Sequence, residues 1–201
     1  MAKDTDLGTG SVGKLLLKLA LPAIAAQLIN LLYNLVDRMY IGHIPVVGAT
    51  ALTGVGVTMP VLMVISAFAA LVSMGGAPRA AIHMGAKDNG TAEKIMGNCL
   101  TALVVIAVIL TAACLIWCEP LLLLFGASPD TVGYGVEYLR IYACGTLFVQ
   151  LALGMNAFIT TQGFATTSMF TVLIGAVLNI LLDPLFIFVF QMGVQLSLIH
   201  I

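Results

Sequence analysis

Charge is what this chain has least of: Asp, Glu, Lys and Arg together make up 8% of its 201 residues, and long stretches carry none of them. A water-soluble domain needs a charged surface that this composition cannot supply. No polar linker is long enough to hold a soluble domain, no basic stripe offers itself to nucleic acid, and the net charge of -1 names no partner. Cysteine is sparse as well. Cys99, Cys114, Cys118 and Cys144 lie in or near apolar segments without CxxC spacing or a neighbouring His, which speaks against a metal site or disulfide framework and for buried small hydrophobes. Also missing are a nucleophile–base arrangement, a phosphate loop and an HExxH helix, so the chain does not read as an enzyme and calls for no cofactor or resident metal.

What remains is grease. With 61% hydrophobic residues and a mean hydropathy of +1.11, the sequence predicts an all-α integral membrane protein whose first partner is the lipid bilayer. Residues 1–14 are polar, lack the form of a cleavable signal peptide and read as a cytoplasmic tail. Five spans follow, at about 15–41, 51–77, 92–118, 131–158 and 168–192, in one partial transmembrane lobe covering about 15–194, with a tail at 195–201. Pro22 stands inside the first span, where a missing helix hydrogen bond makes a natural bend. Glu119-Pro120 is expected to close the third helix near Trp117, Leu121 to Phe125 to form an interfacial piece, and Ser128 to cap the fourth helix.

Orientation follows from the basic residues. Lys3, Lys14 and Lys18 precede the first span, and Arg79, Lys87 and Lys94 surround the loop between the second and third, while the alternate loops have no Lys or Arg. That places the amino terminus inside, in the cell's inner (cytoplasmic) membrane.

The first span carries one polar stripe. Gln27, Asn30, Asn34 and Asp37 are spaced by three, four and three residues, which puts all four on one side of a helix. A carboxylate at the centre of a membrane helix costs roughly 2.5–3.5 kcal/mol on insertion scales, so Asp37 is expected to face protein or water. Asp183, in the outer half of the fifth span, shares a face with Asn179, and Pro184 frees the carbonyl of Ile180 for a local bend. Tyr138 and Tyr142 enter from the outer side at comparable depth. Four groups can therefore converge: Asp37, Tyr138, Asn179 and Asp183. Such a pair of secluded acids exchanges protons as a unit, and a protonated Asp donates hydrogen bonds where an ionised one only accepts them, which is what a switch requires. The plainer readings are structural: Asp37 pairing with Arg38 or Arg140, Asn179 and Tyr138 as ordinary helix cross-links, and the arginines snorkelling to the interface.

Leu21-Pro22-Ala23, Leu32-Tyr33-Asn34 to Asp37, Tyr40-Ile41-Gly42, the Gly85-Ala86-Lys87 loop and Asn179-Ile180-Leu181-Leu182-Asp183-Pro184, in that order and separation, resemble the amino-terminal half of a multidrug and toxic compound extrusion (MATE) transporter. The resemblance covers about residues 10 to 194 and implies a twelve-helix parent of two six-helix lobes. It implies export of a drug-like organic cation or amphipathic compound against inward proton or sodium flow. It further implies that Asp37, Asn179, Asp183 and, less closely, Tyr138 form the ion-coupling network. Pro22 becomes the bend, and Gln27, Asn30 and Asn34 line the central cavity. The Asp-Pro pair resembles the DinF-like branch, for which protons are the expected ion and sodium at Asp37 and Asp183 the alternative. The sixth helix and second lobe of that family have no counterpart in the 201 residues, and Leu196 to Ile201 departs from the family pattern, so a truncated product and a missing carboxy-terminal lobe are expected. Two other functions stay open: a lipid-linked oligosaccharide flippase of the same superfamily, which would want a cationic cavity, and a non-functional structural fragment.

Overall fold

Apolar runs of this length meet no water along their middle, so each backbone N–H and C=O must be satisfied within the segment, and the helix is the form that does so. The structure, a computed structural model, describes residues 11–42 and 48–184, with the side chains at 41, 42, 48, 179 and 182–184 outside that description. Among the described residues six helices follow one another: α1 (Val12–Gly42), α2 (Gly48–Gly85), α3 (Asn89–Ile116), the short α4 (Cys118–Leu124), α5 (Val132–Thr161) and α6 (Ala165–Pro184). Of the described residues, four helices are long and apolar enough to cross a membrane, namely α1, α2, α3 and α5; α6 is a shorter apolar helix. Five spans were expected; among the described residues four helices have that length, and α6 falls short of it.

Three boundaries differ from those expected. The second helix does not stop near residue 77 but continues through Pro78 to Gly85, since a proline removes one bond of the ladder and helices at the membrane edge tolerate that loss. The third helix ends at Ile116, where the Trp117 N–H closes on the Ala113 carbonyl at 3.0 Å. Glu119 and Pro120 do not close it; they form the first turn of α4, where a missing N–H is no loss and an acid faces the positive end of the helix. Ser128 does not cap α5 directly. Its carbonyl accepts from the N–H groups of Thr131 and Val132 at 3.0 and 2.9 Å, its own N–H donates to Thr131 Oγ1 at 3.0 Å, and Thr131 occupies the cap.

Helix ends close by one device used three times. After α2, the Asp88 N–H reaches back to the His83 carbonyl and the Lys87 N–H to Met84; after α4, Ala127 reaches Leu122 and Gly126 reaches Leu123; after α5, Phe164 reaches Ile159 and Gly163 reaches Thr160. The residue between must be left-handed, and Lys87, Gly126 and Gly163 have φ of 62°, 94° and 92°.

The core lies among α2, α3 and α5. Along α5 the buried residues Gly135, Tyr138, Leu139, Tyr142, Ala143, Thr146, Gln150, Gly154 and Phe158 each have another of the set three or four residues away, one continuous stripe. Small residues bring the backbones together: a Cβ on Gly54 would lie 2.8 Å from the Thr131 carbonyl oxygen, and one on Gly154 would strike Leu103. Polar cross-links add to the packing. Thr111 donates to the Ala143 carbonyl at 3.0 Å, joining α3 to α5, and Gln150 joins α5 to α2. Helix α1 stands to one side, packed chiefly on α6 and more lightly on α2.

Candidate functional site

The polar stripe of α1 is wider than its spacing first suggests. At about 100° per residue, Gln27 and Asn34 project in nearly one direction and Asn30 and Asp37 in another, some 60–80° round the helix. Their fates diverge accordingly. Gln27 and Asn34 are exposed, Asn30 is half-buried and Asp37 is buried, with 7% of its surface accessible. Asn34 turns its amide back onto the Asn30 carbonyl at 2.8 Å.

Asp37 is buried on the side of α1 that faces Tyr138 of α5. Tyr138 is 3% exposed, and Asp37, Tyr33 and Arg38 all lie within electrostatic reach of its hydroxyl. The Tyr138 and Tyr142 rings, one turn apart, are stacked with centroids 6.5 Å apart and planes 9° from parallel. Arg38 points towards α2, with Nη2 3.1 Å from the Met59 sulfur. The structure therefore brings Asp37 and Tyr138 together. Asn179 and Asp183 sit on α6, the helix packed against α1, but their side chains fall outside the described residues. Pro22 lies within the unbroken helix α1, and Pro184 is the last residue of α6.

Three clefts open around these groups. One of about 430 Å³ runs between α1, α2 and α5, with Asn30, Tyr33, Asn34, Met59, Ser66 and Tyr138 among its walls. A second of about 450 Å³ lies between α1, α5 and α6 and includes Asn30, Tyr33, Asn156 and Thr171. The third, about 850 Å³, is an open groove along α1 itself, carrying Gln27, Asn30, Asn34 and Arg38. Asn30 lines all three, and Tyr33 lines the two enclosed by neighbouring helices.

Sequence reasoning gave no site role to Tyr33, Ser66, Gln150 or Asn156. Gln150 is fully buried and donates Nε2–H to the Ile65 carbonyl at 2.7 Å, while its Oε1 and the Oδ1 of Asn156 have no hydrogen-bond partner among the described residues. A signal was present. Tyr138, Tyr142, Thr146 and Gln150 recur at every fourth residue, the same rule that exposes the stripe of α1.

Chemically, the arrangement offers one secluded acid, hydroxyls and neutral amides able to donate or accept, and aromatic and thioether walls. It can hold a cation or proton beside an amphipathic organic molecule.

The family model described as MatE matches residues 22–185. Among curated relatives, the multidrug export protein MepA of Staphylococcus haemolyticus is 26% identical over 178 residues, covering 89% of this chain and 39% of that protein. The FAD transporter of Shewanella oneidensis is 25% identical over 177 residues, covering 88% of this chain and 38% of its own length. A crystal structure of MATE in the bent conformation superimposes with a TM-score of 0.87 at 27% identity, over 95% of this chain and 42% of that one. The chain thus spans about two fifths of the length of the relatives it matches. With the family model covering most of the sequence and the helices following a MATE structure, the chain belongs to the MatE family.

Proposed function

We propose that this chain forms the ion-coupling lobe of a secondary multidrug efflux antiporter in the cytoplasmic membrane. Its amino terminus is inside, and it exports organic cations or amphipathic compounds in exchange for protons, or for sodium at the same acids. The supporting observation is the burial of Asp37 within electrostatic reach of Tyr138, which lines a cleft walled by tyrosine, methionine and amide groups. Aromatic faces attract organic cations, and methionine adapts to varied shapes.

In this reading Asp37 and Asp183 hold the coupling ion together with Asn179 and Tyr138, and Gln27, Asn30 and Asn34 face the substrate. Proton arrival turns Asp37 from acceptor into donor, and the hydrogen bonds around Tyr138 and Tyr33 rearrange, shifting the packing of α1 on α6. Pro22 and Pro184 supply the bends that let those helices move. Transport itself belongs to the complete transporter, with a second lobe facing the groove of α1. A second reading, an aromatic anion as substrate, is favoured by Arg38 on that groove and by the relative named an FAD transporter.

The test is ethidium accumulation in cells expressing the complete gene. Wild type lowers the dye content, and Asp37→Asn and Asp183→Asn leave it as in cells without the transporter. Equal export by wild type and both neutral variants across pH would overturn the reading, and export of flavins but not ethidium would select the anionic substrate.

A further inference from the structure

The efflux site occupies α1, α5, α6 and one side of α2. On another side, α2 and α3 bound a groove of about 930 Å³ near the Lys87 loop that the transport reading does not use. Along α2 its wall runs from Leu71 and Val72 through Gly75 and Gly76 to Arg79, Ile82 and His83, and α3 adds Ile95, Asn98 and Cys99. The floor is made by Gly76, where an added Cβ would meet Cys99 and, at 3.0 Å, Phe158; next to it Gly75 is open, with nothing within 4 Å of a Cβ. Arg79 follows Gly75 by four residues, so the two positions lie about one turn, roughly 6 Å, apart along the helix axis.

Height matters as much as composition. The 38 residues of α2 extend about 57 Å, nearly twice the roughly 30 Å of a hydrocarbon core. With charged Lys87 and Asp88 just beyond its carboxy end, the excess falls there, which sets the last turns, Arg79 among them, at headgroup level. Arg79 makes no ion pair among the described residues. Asp88, the nearest acid in the loop, is engaged by the Thr91 N–H and by His83, each at 3.2 Å, and is not part of the groove.

We propose that this groove binds an anionic phospholipid from the leaflet on the side of the α2–α3 loop. One acyl chain lies along Gly75, Leu71 and Val72, and the phosphate is held by Arg79, with Asn98 and His83 as hydrogen-bonding neighbours. Charge complementarity chooses the occupant: an apolar trough ending in an unpaired cation fits a negatively charged lipid better than a zwitterionic one. The proposal is independent of the transport reading.

The experiment is native mass spectrometry of the protein purified from the complete gene, offered equal amounts of phosphatidylglycerol and phosphatidylcholine with identical chains. Wild type retains phosphatidylglycerol in preference. Arg79→Gln lowers that occupancy about fivefold, the effect of one interfacial cation. Gly75→Leu, at a position open enough to take the side chain without disturbing the fold, blocks the trough and lowers binding of both lipids. Lys14→Gln, on α1, changes neither. Undiminished phosphatidylglycerol binding by both groove variants, an equal loss in Lys14→Gln, or complete competition by glycerol phosphate lacking acyl chains would each overturn the proposal.

Discussion

Gln150 Nε2 donates to the Ile65 carbonyl across 2.7 Å, tying the middle of α5 to the middle of α2, while the Oε1 of the same amide is buried without a partner among the described residues. The cross-link is therefore half favourable and half costly. An interhelical hydrogen bond in a membrane protein contributes on average about 0.6 kcal/mol, and an unsatisfied buried acceptor offsets a gain of that size. Gln150→Leu should change stability by less than about 1 kcal/mol. Gln150→Ala, which adds a cavity, should destabilise by about 2–4 kcal/mol. Unfolding in mixed micelles measures both.

Gly54 and Gly56 are two residues apart on α2 and should respond oppositely to the same substitution. A Cβ at Gly54 meets the Thr131 carbonyl oxygen at 2.8 Å and the Gly135 nitrogen at 3.2 Å, backbone that cannot swing away, whereas Gly56 has nothing within 4 Å. Gly54→Ala should cost about 1–3 kcal/mol through overpacking. Gly56→Ala should be neutral or stabilising by up to about 1 kcal/mol, since alanine is the better helix former. The order of the two melting temperatures checks the α2–α5 crossing.

Lys87 holds φ at 62°, and Gly163 plays the same closing role after α5 at 92°. A side chain in the left-handed region costs about 1–2 kcal/mol. Lys87→Gly should therefore raise stability by about 1 kcal/mol and Gly163→Ala should lower it by a similar amount. Differential scanning calorimetry in detergent reads the pair.

Asp88 caps α3, and its carboxyl is held below the ordinary carboxylate range, first by the Thr91 side chain, then by the Thr91 N–H, with His83 adding to the effect. A lowered folded-state value means that the stabilisation is complete above the unfolded value and disappears as pH falls through the folded one. The stability advantage of wild type over Asp88→Asn should be constant near neutrality and shrink as pH drops below about 4. A pH series of thermal melts on both proteins tests the direction.

The helices were legible because burial in lipid demands them: composition and run length place α1, α2, α3, α5 and α6 without any tertiary information. Their ends were less so. Pro78 and Pro120 look like stops in a linear reading, yet one lies inside α2 and the other in the first turn of α4, because a proline's effect depends on which carbonyl it orphans. Depth alone put Asp37 and Tyr138 at a comparable level in the membrane. The setting of Asp37 was not legible, since Tyr33 and the Arg38–Met59 contact depend on how α1 is rotated against its neighbours. Gln150 escaped notice for another reason: a single amide in a greasy helix carries no periodic signal until the tyrosines and threonine before it are counted as polar.

In the proposed mechanism Asp37 is a proton-exchanging acid that senses the substrate. Its most direct test is proton release from unbuffered, purified protein of the complete gene when ethidium is added at neutral pH. Wild type should release protons on binding dye and Asp37→Asn markedly fewer, with binding itself retained. Identical release from the two proteins would contradict it.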